Sequence, residues 1–461
     1  MTDNRNRIYI LTVVILTSLG GPLLISAITV ALPTIAKELP MTAVQMGWVS
    51  LAFTLASAVF ILPFGRLADI AGRKRIFAIG TSIAAIAIVL STLSTSGIML
   101  ISLQAVQGIG WSMVFSCGIA LLTSAYPPNE RGKVIGIHVA SVYLGLSLGP
   151  TVGGLLTQNL GWRSVFFLAV ALLLPSIILL LVKVRGEWAE AKGEKFDVTG
   201  SIIFSVTLFC ILYGFSSLPS QRGALIILAG IVALVFFVIV ERKVKSPILN
   251  LSLLTRNRLF AFSCGAHFLY YLATFALTFS MSLYLQYIEG LSPQNAGLVL
   301  LVQPVVMAVF SLVAGRVSDR AQPRIVASAA IIVVFIGIVL LRSSTQGIGL
   351  TGIIIGLVLL GFGYAFYASP NMNAIMSSVD RKFYGVASAM ESSVRLVGVT
   401  FSTGIIMLLF AINMGTAQIT PEYYPQFVDS LRTAFAIFAG LCLCGAVVSA
   451  TRGKVKVQID S

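Results

Sequence analysis

Glu391 and Arg395 stand four residues apart in an otherwise apolar stretch, Gly385-Val-Ala-Ser-Ala-Met-Glu-Ser-Ser-Val-Arg-Leu-Val-Gly398. On a helix, side chains at i and i+4 share a face, so these two can pair. The balance between desolvation and a neighbouring guanidinium decides whether such a carboxyl holds a proton, which makes Glu391 a candidate proton-exchanging group. A structural ion pair would use the same two positions. His138 and His267, the two histidines of the chain, can titrate or can satisfy interhelical hydrogen bonds. Trp111, Tyr143, Tyr270, Tyr271, Gln303, Tyr364 and Asn371 can, as a set with the histidines, line a mostly apolar chamber with scattered polar contacts. Each of them alone also fits helix packing or an interfacial aromatic belt. The five cysteines (Cys117, Cys210, Cys264, Cys442, Cys444) lie in apolar segments without metal-ligand spacing and read as small core residues. There is no P-loop, no pair of carboxylates and no Cys/His cluster, so no enzyme activity, cofactor or metal is expected.

A second chemistry-bearing string is Gly65-Arg-Leu-Ala-Asp69-Ile-Ala-Gly72-Arg73-Lys74-Arg75. Its glycines permit a tight turn. Asp69 can accept hydrogen bonds from an adjacent helix N-terminus, and the basic cluster can sit at lipid headgroups. A third is Gly145-x-x-x-Gly149-Pro150-x-x-Gly153-Gly154, where small residues allow close helix approach and the proline loosens the helix.

The elements that position these residues follow from composition. The 461 residues are 57% hydrophobic and only 10% charged, against about 25% charged in soluble domains. Mean hydropathy is +0.97. No single soluble core would hide that much apolar surface. Fourteen apolar runs long enough to cross a bilayer are read at roughly 8–34, 45–65, 76–95, 98–125, 133–157, 163–184, 198–218, 223–241, 259–287, 294–314, 325–342, 348–376, 383–412 and 430–450. Arg5 and Arg7 precede an apolar run from Ile8 to about Ala31 with no small-residue cleavage site, so it is expected to be a retained first span. With both termini cytoplasmic, twenty-five of the 31 basic residues fall in the tails and on the cytoplasmic loops, five on the other side, and Arg395 within a span. The net charge of +15 is therefore topological, and no nucleic-acid partner is expected.

An internal repeat appears at an offset of 250 residues: Gly65-Arg66-x-x-Asp69 recurs as Gly315-Arg316-x-x-Asp319, and Glu130-Arg131 as Asp380-Arg381. The offset joins odd spans to odd spans, so the halves are parallel repeats of six spans. Residues 1–185 are expected to form one six-helix bundle, 186–256 a linker with two additional spans, and 257–461 the second bundle. The charged stretch Arg185–Asp197 reads as a solvated linker.

The 65–75 string resembles the signature loop of the major facilitator superfamily, and the glycine-proline string the span-five motif of its antiporters, which are exporters. Ala31-Leu32-Pro33, Gln107-Gly108, Gly161-Trp162-Arg163 and the fourteen spans resemble the fourteen-span drug:proton antiporter branch over essentially the whole chain. The resemblance implies an all-α polytopic plasma-membrane protein with the major facilitator fold: two six-helix bundles plus two extra central spans, fourteen transmembrane helices in all. It implies export of small lipophilic or cationic molecules by alternating access, with the lipid bilayer as environment, a proton as coupling ion and a monomer as the working unit. Gly65, Asp69, Gly72 and Arg73, with Gly315 and Asp319, are then expected to govern the conformational switch rather than touch substrate. Two positions depart from the branch: Leu24 stands where it carries an Asp, and Gln104 where it carries an Arg. Losing both together leaves no unpaired buried charge, and it throws the coupling role onto Glu391. The alternatives are a carrier for one metabolite without the usual coupling, and a non-transporting receptor on the same fold.

Overall fold

The computed structural model describes residues 4–242, 244, 257–345, 349–379 and 384–453. Among these, helices occur and strands do not, and fourteen helices are long and apolar enough to cross a membrane. The chain clusters into two compact units, residues 1–248 with 289–297, and residues 249–288 with 298–461.

The first unit holds α1 (Asn4–Glu38), α2 (Ala43–Ala71), α3 (Arg73–Thr92), α4 (Gly97–Ala125), α5 (Pro128–Leu160), α6 (Arg163–Val182), α7 (Val198–Ser216) and α8 (Gln221–Glu241). Polar side chains set several helix starts: Thr42 and Gln45 form a reciprocal capping box, and Ser96, Asp197 and Ser220 each accept a backbone N–H of the first turn. In lipid, apolar burial gives little drive for helix association, so close packing at small residues carries it. Gly145, Gly149 and Gly153 lie on one stripe of α5 against α1, where an added Cβ would strike the Leu19 carbonyl, Ser26 and Ala27 respectively. Gly110 and Gly80 bring α4 and α3 equally close. Helix α7 packs beside α2, where Ser205 donates to the Val59 carbonyl at 3.2 Å and Tyr213 meets Trp48 at 5.6 Å between ring centres. Helix α8 packs on α7, with the ring centres of Phe237 and Phe204 5.5 Å apart. The outer face of α8 leaves Leu228, Val232, Val235 and Ile239 exposed, as a lipid-facing surface requires.

The second unit holds α9 (Arg258–Tyr287), α10 (Pro293–Leu300, in part), α11 (Val302–Arg320), α12 (Pro323–Ser343), α13 (Gly349–Ser377), α14 (Tyr384–Asn413) and α15 (Tyr424–Thr451). The tenth predicted span is broken at Leu301 into α10 and α11. Pro304 lacks the N–H that would bond the Leu300 carbonyl, and its ring crowds that turn. Cys442 is buried and Cys444 exposed, so the pair looks to opposite sides of α15.

Candidate functional site

Two constellations stand out, one in each unit. In the first unit, Gly72 ends α2 and begins α3 at φ +115°, a backbone state that favours glycine, and its N–H donates to the Ala68 carbonyl at 2.9 Å. Arg73, only 7% exposed, donates through Nε and Nη2 to Asp69 Oδ1 at 2.9 and 2.7 Å. Its Nη1 reaches Glu190 at 2.7 Å and the Ser124 hydroxyl on α4 at 2.5 Å. Gly65 faces Ser116 of α4, where an added Cβ would make an ordinary contact at 3.5 Å.

Two expectations for this loop are corrected. The anion at the start of α3 is not Asp69, whose side chain pairs with Arg73; it is Glu187, whose carboxylate accepts the backbone N–H groups of Lys74 and Arg75 at 2.8 and 3.2 Å. The stretch 185–197 is also more than a solvated linker. The Arg73 N–H donates to the Trp188 carbonyl, the Ala191 N–H donates to the Asp69 carbonyl, and Arg66 pairs with Glu194 at 2.5 Å. Lys74 donates to the Val184 carbonyl at 2.6 Å. Glu190 and Glu194 pair with Arg73 and Arg66, and Glu187 holds the start of α3, so the segment is strapped across the loop. Gly315 and Asp319 lie outside the residues whose side chains are described.

The α5 motif is a packing device within the same unit. Pro150 and Gly154 face residues 293–297, the short stretch that clusters with this unit: a Cβ at Gly154 would meet the Pro293 carbonyl, and one at Gly297 the Pro150 carbonyl. His138 on α5 is 2.7 Å from the Ser18 hydroxyl on α1. Trp111 is 1% exposed and fills the space left by Gly21. Tyr143 is half-buried. Leu24 and Gln104 are both buried, without charge between them.

The second unit gathers most of its predicted residues into one cluster. His267 Nε2 lies 2.7 Å from Glu391 Oε1, and both side chains are nearly sealed from solvent. Arg395 Nε is 3.6 Å from the same oxygen. The predicted i, i+4 pairing exists, but the nearer partner comes from another helix. The Ser392 hydroxyl donates to Glu391 Oε2 at 3.1 Å. Asn371, fully buried, sits 3.1 Å from His267 Nδ1. Tyr271 and Tyr364 join hydroxyls at 2.9 Å, and Tyr270 stacks on Tyr367 with centroids 4.0 Å apart. Gln303 is half-buried on α11. Tyr271 and Tyr364 are half-buried, whereas Tyr270 and Asn371 are sealed, so the first pair is the more open face of the cluster.

Two members were not legible as site residues. Tyr367 looks like any aromatic residue of an apolar span. Arg452 counts with the basic tail after the last span, yet it is 1% exposed and donates through Nη1 to Asn371 Oδ1 at 2.8 Å. Among the described residues no group of His, Cys, Asp and Glu has the geometry to hold a metal.

Comparison with known proteins agrees with this architecture. The sequence pattern of the Major Facilitator Superfamily matches residues 14–402 and 263–456. The riboflavin transporter RibZ of Clostridioides difficile (strain 630) is 27% identical over 430 residues, 92% of each chain. Multidrug resistance protein 3 of Bacillus subtilis (strain 168) is 28% identical over 408 residues, covering 87% of this chain and 77% of that one. Among solved structures, a bacterial homolog of the human lysosomal transporter Spinster, inward-facing and unoccupied, superposes with a TM-score of 0.68 at 18% identity over 98% of both chains. That last likeness concerns the fold.

Proposed function

This chain belongs to the major facilitator superfamily, a multi-pass membrane transporter and not an enzyme, and we propose that it exports small lipophilic or cationic molecules across the plasma membrane by alternating access, driven by a proton that Glu391 carries. The observation that carries the coupling assignment is the buried His267–Glu391 pair. Among the described residues Glu391 is the one carboxyl well inside a span, and intramembrane ionisable groups mark ion or substrate pathways. Its surroundings supply what a coupling group needs. The carboxylate has donors from His267, Arg395 and Ser392 while charged, and Arg395, one third exposed, can turn from it toward water or an anionic group when the acid is neutral. Export of lipophilic compounds is supported by the α5 motif and by relatives named for multidrug resistance. The tyrosine face at 271 and 364 offers such compounds aromatic surface with hydroxyl contacts. Both termini would lie in the cytoplasm, and one chain would suffice for transport.

The riboflavin transporter among the relatives, together with the uncharged Leu24 and Gln104, favours a second reading: a carrier dedicated to one metabolite. Purified protein reconstituted in proteoliposomes with an imposed pH gradient tests both readings over chemically varied substrates. Several unrelated lipophilic cations moving on the gradient support the first. Flux confined to one compound supports the second, and flux indifferent to the gradient overturns the coupling assignment.

A further inference from the structure

The buried chain from Arg452 to Glu391 has its hydrogen-bond directions imposed from one end. A guanidinium can only donate, so the amide atom of Asn371 facing Arg452 at 2.8 Å must be its oxygen. The NH2 group, on the other side of that amide, also faces the Ser263 carbonyl at 3.5 Å, a contact too long to fix the orientation and compatible with it. The same NH2 lies 3.1 Å from His267 Nδ1. Nδ1 must therefore accept, and the ring proton of a neutral His267 must sit on Nε2, pointing at Glu391 Oε1. The Tyr367 hydroxyl, 3.5 Å from Nδ1, is too distant to substitute for the amide.

We infer that Arg452 is a positioning residue of the coupling site: through Asn371 it holds His267 as the Nε2–H tautomer, so that Oε1 of Glu391 is occupied by a fixed donor and the exchangeable proton is taken and released at Oε2, beside Ser392. Everything facing Oε1, His267 and Arg395, is then a donor. On the Oε2 side the Ser392 hydroxyl can rotate, donating to the carboxylate and accepting from the acid. Proton uptake adds H⁺ to Oε2 and turns the serine hydroxyl. Proton release reverses both, and the His267–Oε1 bond is kept throughout. The tautomer assignment stands on geometry alone, while its role in transport rests on the coupling reading above.

The test uses the full chain, labelled with 15N-histidine in lipid nanodiscs. Only two histidines contribute, and His138→Gln assigns the spectrum. The wild type is expected to show neutral His267 protonated at Nε2. Arg452→Lys, still a donor, should keep that pattern, whereas Arg452→Gln, which can present either amide face, should give a mixture of tautomers and lower gradient-driven flux roughly tenfold, the worth of one charge-assisted hydrogen bond. Asn371→Asp offers only acceptors to the ring while retaining a partner for Arg452, and should put a proton on Nδ1 as well, the ring being doubly protonated between two carboxylates. Its spectrum decides the matter should Arg452→Gln fail to fold. A wild-type His267 protonated at Nδ1, or unchanged ring protonation in both Arg452→Gln and Asn371→Asp, overturns the inference. If the ring protonation shifts as expected but Glu391→Gln still transports on the gradient, the positioning is correct and the coupling reading is the one that fails.

Discussion

The loop at 65–75 and the cluster around His267 both join charged side chains across helices, yet they are built on opposite plans. The first is wide and redundant: Arg73 has Asp69, Glu190 and Ser124, Arg66 has Glu194, and the partners Glu190 and Glu194 are 69% and 49% exposed. The second is single-file and dry, running Arg452, Asn371, His267, Glu391 with each link buried. Exposed pairs are screened by water and salt and each contributes little. A buried chain is high-stakes, because one lost partner leaves the next group unsatisfied in low dielectric. Under the function proposed above, the contrast is a division of labour: the loop is remade as the protein changes state, while the buried chain registers a single proton.

The sharpest way to break this contrast is Glu391→Gln. It keeps the shape and removes the titration, so stimulation by a pH gradient should vanish in proteoliposomes while substrate exchange without a gradient survives. His138→Gln, which removes a bond to one serine hydroxyl, should leave the stimulation intact. Full gradient-driven flux in Glu391→Gln would make that residue structural. Next in size is Asp69→Asn, which weakens the grip on Arg73 without approaching the His267 cluster. Transport rate should fall roughly tenfold, a shift of ~1–2 kcal/mol between states, with equilibrium substrate affinity within a few-fold. Normal turnover with an affinity loss of a hundredfold would refute a switching role. A smaller effect is expected for Glu187→Ala, which frees the first N–H groups of α3. Hydrogen exchange at residues 73–76 and 185–191 should quicken together, and exchange confined to one of the two segments would show that they are not strapped. The smallest is Glu194→Gln, removing an exposed partner of Arg66. Stability should drop by under about 1 kcal/mol, and the difference should disappear in 1 M salt, where the screening length is about 3 Å. A larger, salt-independent loss would mean that the loop is no more tolerant than the buried chain.

Much of this protein is readable along the chain. Fourteen spans, the signature loop, the glycine stripe of α5 and the candidacy of Glu391 all follow from contiguous windows of residue type. Hydropathy, helical spacing and turn chemistry are properties of such windows, since lipid obliges each span to satisfy its own backbone. Only the tertiary structure decided who pairs with whom. His267 reaches Glu391 across 124 residues of sequence, closer than the Arg395 one turn away. The acidic segment after α6 lies on the 65–75 loop instead of trailing in solvent. Arg452, a tail charge by position, is buried on Asn371. No local pattern encodes these choices. A polar side chain in a span can be satisfied by any neighbour that packing brings within about 3 Å, and which neighbour arrives depends on how separate helices are brought together.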